Sequence, residues 1–472
     1  MNNKSAYIWG IVSRFGPQVI YLLTTMVLAR FVSAKELGMI GVLAVIFTVA
    51  NILIDSGLGG SLIKEKYISK VDCSTITIFN AIVGILIYFL LFHTSTYIES
   101  YFNVIGLANV VKVIGVVFPI TALGVVPVSL LKRKLEFKKI CISSISSVVI
   151  ASIISIYLAI NEAGVYSLVA YQIMVNAVTV LLNYIFSRYF PCFSFSYDSL
   201  KRLLPFGFYT SIVTIVDTIY ENLLTVLTGK FLNVQSAGYI YQAKRLEEAM
   251  SASFATSVGI VAFPVLTQFK NDVNRFVTEG FKTFNVITLL IFPILVTVSI
   301  YSEQVIFLLF GSSWLESAPY LSILMFAGLF IIMENLFLSF IKAWGQVRDL
   351  MYWTIIKRII GISVLLFSLS LDSDYLVHTY LLTTIIGFCI NAFLFCRLVK
   401  ISISNIFRIV ILNLFPVLML YFICKIIMIS ESGLPISLVV TILLLVFYYC
   451  FYLRFKGIDL LDLLFRIIKK KI

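Results

Sequence analysis

The chain has 472 residues, 60% hydrophobic and 12% charged, with a mean hydropathy of +1.03. Soluble domains run about 45–50% apolar and about 25% charged, and no single soluble core absorbs such an apolar excess over this length. The composition excludes a soluble enzyme, a disordered protein and a nucleic-acid-binding module. It also excludes an outer-membrane barrel, whose strands alternate apolar and polar residues. What remains is an all-α polytopic membrane protein, and its formal charge of +13 reports Lys/Arg-rich loops facing anionic lipid.

Fourteen spans are predicted in chain order. The first, 9–32, carries Arg14 one turn before Pro17, which bends the helix. Spans 37–63, 75–95, 109–131, 140–160 and 163–187 complete a set of six, with Asp55 near the end of the second. Span seven, 204–229, holds Asp217 and Glu221 four residues apart on one face. Span eight, 237–266, holds Lys244, Arg245, Glu247 and Glu248. Then come 281–300, 318–341 with Glu334, 350–371 with Lys357 and Arg358, and 375–396. Spans 406–428 and 434–453 follow as two extra helices, and 457–472 reads as an amphipathic tail on the inner membrane surface.

Alternate loops carry 26 Lys and Arg on one side of these spans against 3 on the other, the signature of cytoplasmic loops. Both termini are thereby predicted in the cytoplasm. Seven cysteines without a CxxC spacing predict neither a disulfide framework nor a zinc site, and His93 and His378 are too far apart to suggest a metal. The pair Asp372 and Asp374 reads as a polar turn. No cleavable signal peptide is predicted, because the first apolar run is long enough to span.

An internal repeat divides the chain. At an offset of 200 residues, ARFVSAKELGMI (29–40) matches GKFLNVQSAGYI (229–240), pairing Phe31 with Phe231, Gly38 with Gly238 and Ile40 with Ile240. Two like-oriented six-helix lobes are expected, residues 1–190 and 191–400, related by a pseudo-two-fold along the membrane normal. Residues 401–456 supply the two extra helices. Paired halves of this kind place substrate between them and alternate access by rocking.

Several segments carry a resemblance to a known family. They are ARFVSAKELGMIGVL and DSGLGGSLIKEK within 29–66, PVSLLKRKLEFKKICI (127–142), EAGVYSLVAYQ (162–172) and GYIYQAKRLEEAMSASFATSVGIVAFPVLTQFKND (238–272). In order and spacing the chain resembles the polysaccharide transporters, the Wzx-type lipid-linked oligosaccharide flippases of the multidrug/oligosaccharidyl-lipid/polysaccharide exporter superfamily. The resemblance implies two lobes around a central cavity. It implies translocation of an undecaprenyl-diphosphate-linked repeat unit of O-antigen, capsule or exopolysaccharide across a bacterial inner membrane. It implies as partners the lipid-linked oligosaccharide, membrane lipid, and the polymerase and chain-length regulator of the same pathway, with no nucleic acid and no cofactor. An ion-coupled multidrug antiporter of the same fold is the alternative, ahead of a membrane polysaccharide polymerase.

A diphosphate crossing the membrane needs a wet cationic cavity, and charges inside spans usually face one. The candidate cations are Arg14, Lys244, Arg245, Lys357 and Arg358, with Arg30 at the outer rim. Each has a second reading: Arg14, Lys357 and Arg358 can reach the inner headgroups, and Lys244 with Glu248 is an i,i+4 pair. The acidic candidates Asp217, Glu221, Asp55 and Glu334 either pair with cations or carry a coupling proton or sodium ion.

Overall fold

The computed structural model describes residues 3–55, 57–345, 347–370 and 375–429, with 441, 443, 445 and 448 besides. The regular elements among these are all helical: sixteen α-helices and one 3-10 turn. Nine helical stretches among the described residues are long and apolar enough to cross a membrane, 107–133 and 312–344 each counted as one.

The first elements are α1 (Asn3–Leu28), α2 (Ala34–Asp55), α3 (Leu58–Lys64), α4 (Lys70–Phe102), α5 (Leu107–Ile114), α6 (Val117–Arg133), α7 (Phe137–Ile160) and α8 (Val165–Ser187). Two predicted spans are broken. Span two divides at Gly57, whose φ of 66° is left-handed and admits glycine most readily, and α3 turns away beyond it. Asp55 closes this break: its Oδ1 accepts from the Gly59 amide at 3.1 Å, capping α3. Span four divides between α5 and α6 at Gly115 and Val116. The start of α4 is fixed by a capping box, in which Ser69 Oγ accepts from the Asp72 amide and Asp72 accepts from the Ser69 amide.

Next come α9 (Tyr197–Phe231), α10 (Val234–Thr267), α11 (Val273–Ile300), α12 (Ser302–Phe310), the 3-10 turn Ser312–Ser317, α13 (Ala318–Trp344), α14 (Val347–Ser368), α15 (Leu376–Val399) and α16 (Ile403–Ile429). α12 and the 3-10 turn are not predicted by hydropathy, being too short to span. The fourteenth span, the tail and the pair Asp372 and Asp374 lie outside the described residues, apart from four positions of that span.

The chain packs as two compact units. The first comprises residues 1–242 with 309–314 and 369–374. In it α7 lies against α1 and α8, α6 against α4 and α8, and α9 against α2, α3 and α4. A core of Leu58, Leu62, Ile76, Val126 and Leu203 joins α3, α4, α6 and α9 at their Lys/Arg-rich ends. Polar contacts lock the same region. Arg202 meets Asp72 at 2.7 Å, Ser61 donates to the Leu203 carbonyl at 2.8 Å, and Arg133 donates to the Leu62 and Lys66 carbonyls at 2.8 and 2.9 Å, closing the end of α3. In the loop after α8, burial pushes the Tyr189 phenol up to about 12, so it stays neutral beside Thr77.

The second unit comprises 243–308, 315–368 and 375–472. Its centre is aromatic: Phe276, Phe284, Phe337, Phe340 and Phe395 are buried together from α11, α13 and α15. Inter-helix hydrogen bonds replace the hydrophobic drive that lipid cannot supply. Asn413 of α16 donates to Asn285 of α11 at 2.9 Å and accepts from Thr288 at 3.1 Å.

Candidate functional site: a buried ionic network

Within the second unit, charges on three helices lie in two groups along the apolar interior, with α15 packed beside both. On α10, Lys244 is buried, with its ammonium 3.9 Å from Glu248 and 5.6 Å from the centre of the Tyr380 ring. The ring face supplies a cation–π contact and leaves the charge only partly neutralised. One helical turn from Lys244, Glu247 is buried and accepts a short hydrogen bond from Ser251. Arg245 lies on the exposed side of α10.

The second group joins α13 and α14. Glu334 and Lys357 are both buried and 2.5 Å apart, and Arg358 approaches the same Glu334 oxygen to 3.6 Å. Pairing with a cation was one of the two readings of Glu334, and it describes this contact; for Lys357 the sequence offered a cavity ligand or reach to the headgroups. Two basic residues share one carboxylate, which leaves this trio a formal charge of +1. With the exposed Arg245 counted, four cations stand against three carboxylates across both groups.

Small residues make room for the carboxylates. A Cβ on Gly387 of α15 would fall 2.7 Å from Glu334 Oε2, and one on Gly328 of α13 would fall 3.0 Å from Glu247 Oε1. Asn391 donates to the Glu334 backbone carbonyl at 3.2 Å. Tyr380, Gly387 and Asn391 are spaced i, i+7 and i+11, so one face of α15 serves both groups. Tyr380, Gly387, Asn391, Gly328 and Ser251 are not among the sequence candidates. Their one signal is that spacing, which has no meaning until Glu334 is known to face it.

The remaining candidates fall elsewhere. Arg14 lies in α1, and its side chain is outside the described ones. Arg30 is exposed in the turn after α1. Asp217 is half-buried and Glu221 exposed on α9, in the first unit. Asp55 accepts from the Gly59 amide in the first turn of α3. Among the described residues no group of His, Cys, Asp and Glu could hold a metal ion.

Fold and site define the class: a polytopic helical membrane protein with an ion-paired, net-cationic network inside one of its units. The family model described as "Polysaccharide biosynthesis protein" matches residues 27–319, more than half of the chain, and the chain belongs to that family. It is 26% identical over 323 residues to the lipopolysaccharide biosynthesis protein WzxC of Escherichia coli, covering 68% of this chain and 66% of that one. It is 24% identical over 352 residues to the succinoglycan biosynthesis transport protein ExoT of Rhizobium meliloti (74% and 71%) and 25% identical over 372 residues to the teichuronic acid biosynthesis protein TuaB of Bacillus subtilis (76% and 75%). Among solved structures, the lipid II flippase MurJ in an inward closed conformation superposes with a TM-score of 0.75 over 98% of this chain and 99% of that one, at 15% identity. A multidrug resistance MATE family transporter in an inward-facing conformation gives 0.56 over 83% and 99%, also at 15%. These likenesses establish the shared fold, and the relatives bear out the resemblance carried by the motifs.

Proposed function

We propose that this protein is a flippase that moves a diphosphate-linked oligosaccharide on a polyprenyl carrier across the bacterial inner membrane, with both termini in the cytoplasm. Transport, and not catalysis, is the activity. The observation that supports this best is a set of four basic side chains within the helices of a chain from the polysaccharide biosynthesis family. A diphosphate loses its hydration on entering a membrane protein and needs positive charge in exchange. Arg and Lys supply it, Arg with a fork that fits two phosphate oxygens.

In this account the head group enters between the repeat-related lobes, 1–190 and 191–400. Arg14, Lys244 and Arg245 hold it first. Lys357 and Arg358 are held ready by Glu334, and the glycan follows over polar and aromatic surfaces while the lipid tail stays in the bilayer. Asp217 and Glu221 on α9 either balance these cations or carry a coupling ion. The polymerase and chain-length regulator of the pathway are the partners expected downstream.

Deletion of the gene tests the activity. In a strain without a paralogue, polyprenyl-linked repeat units accumulate on the cytoplasmic face and surface glycan is lost; both are read by lipid extraction and glycan staining. Normal surface glycan would overturn the assignment, and raised drug sensitivity with intact glycan would favour the antiporter.

A further inference from the structure

The internal repeat brings its two copies into mutual contact. A Cβ on Gly38 would lie 1.8 Å from the Val234 carbonyl oxygen, and a Cβ on Gly238 would lie 1.8 Å from the Ala34 carbonyl oxygen. Each would also stand 3.0 Å from the other glycine's amide nitrogen. Ala34 and Val234, like Gly38 and Gly238, are 200 residues apart, so the contact is reciprocal and a local two-fold passes between the glycines. One turn on, a Cβ on Gly41 would meet the Cβ of Tyr241, the same offset, at 3.0 Å. The first turns of α2 and α10 therefore cross backbone on backbone. At the two glycines backbone lies on backbone with no side chain between, and two such flat surfaces can part as rigid bodies.

A second, independent feature closes over the same place. Trp314, from the unpredicted 3-10 turn, is fully buried, and its indole N–H donates to the Ala29 carbonyl at 2.7 Å, just past the end of α1. Its ring meets Tyr239 edge-on, with centroids 6.0 Å apart at 89°. Tyr239 is the residue after Gly238. One hydrogen bond and one edge-on ring contact thus tie the end of α1 to the start of α10 beside the glycine crossing. Segment 309–314 packs in the first unit although its neighbours in sequence belong to the second. All these residues lie at helix ends away from the Lys/Arg-rich loops.

We propose that the Gly38–Gly238 crossing and the Trp314–Ala29 bond form a clasp that seals the transport path on the outer side and parts to release substrate. The proposal rests on the flippase function and its orientation. It assigns to two glycines and a tryptophan a gating task that requires the closed state to be backbone-tight and the tie across it to be exchangeable.

The test uses full-length protein in intact cells, with the seven native cysteines replaced. Val32→Cys is the reporter, because Val32 is 5% exposed beside the clasp, and Phe31→Cys, at a position 48% exposed, is the control. With the clasp intact, a membrane-impermeant maleimide labels Val32→Cys at least about fivefold more slowly than Phe31→Cys. Adding Gly238→Val, which no shift of a side chain can accommodate, raises reporter labelling about fivefold or more and lowers glycan export about tenfold, since the closed state is lost from the cycle. Trp314→Phe keeps an aromatic ring and removes the N–H, and raises labelling partway. If Gly238→Val does not accumulate, Gly38→Ala and Trp314→Phe decide the outcome on their own. Unchanged labelling in these variants, at normal protein level, would overturn the clasp and leave the flippase function standing. Normal glycan in the deletion strain would remove the transport role and leave the labelling change as a fact of packing.

Discussion

Lys357→Met lowers the thermal midpoint of the detergent-solubilised protein by on the order of 3–5 °C, and Lys357→Met with Glu334→Leu recovers most of that loss. In the single variant a carboxylate stays buried after losing the ammonium 2.5 Å away. Stranding one partner of a buried pair costs roughly 3–5 kcal/mol, whereas an apolar replacement of both is often neutral. Arg358, 3.6 Å from the same oxygen, holds the loss toward the lower figure. The informative comparison is export. The double variant has an apolar, well-packed site and normal protein level, yet its glycan export falls at least about tenfold if Lys357 is a phosphate ligand held ready by Glu334. A double variant that is both stable and fully active would make the trio a structural tie between α13 and α14 and nothing more.

Arg245→Ala and Arg14→Ala each lower glycan export about tenfold or more without lowering the amount of protein in the membrane, measured by immunoblot beside surface-glycan staining. A charge-assisted hydrogen bond to phosphate contributes roughly 1.5–3 kcal/mol, and one tenfold step in a rate is about 1.4 kcal/mol. Arg245 is on the exposed side of α10, where replacing a side chain costs the fold little. Arg245→Lys recovers part of the activity, because charge survives while the bidentate fork does not. Lys244→Ala behaves similarly, with a small stability cost, since its 3.9 Å pair with the half-exposed Glu248 is worth little. Full export in both Arg14→Ala and Arg245→Ala would remove these positions from the binding site.

Hydropathy located the spans because an apolar run of about 20 residues has few alternatives to a membrane helix. Thirteen of the fourteen predicted spans coincide with described helices to within a few residues at most ends, and α4, α9 and α11 run longer through polar turns. What hydropathy could not see was the interruption of two spans. Gly57 takes a left-handed φ inside a run that reads as continuous, and nothing in the residues around it marks which of several glycines will turn. The repeat was legible at Gly38 and Gly238, because identical residues at a fixed offset need no structure to be noticed. That the two glycines touch each other was not legible, since it depends on how the repeats pack.

The charged site divides in the same way. That Glu334, Lys357 and Arg358 were candidates was visible from their cost inside spans. Their mutual pairing was not, because helices α13 and α14 place residues 23 apart in sequence side by side through tertiary packing. Trp314 offered no signal at all, for a tryptophan in a short turn is ordinary at a membrane interface until its indole is found buried against the Ala29 carbonyl.

The most direct measurement is flipping by the purified protein in proteoliposomes loaded with a fluorescent polyprenyl-diphosphate oligosaccharide. Protection of the label from a membrane-impermeant quencher is followed in time. Wild-type vesicles are predicted to equilibrate the labelled lipid between leaflets at least about tenfold faster than protein-free vesicles or vesicles carrying Arg245→Ala. Equal rates in all three would contradict the claim that basic side chains within the helices carry a diphosphate head group through this fold.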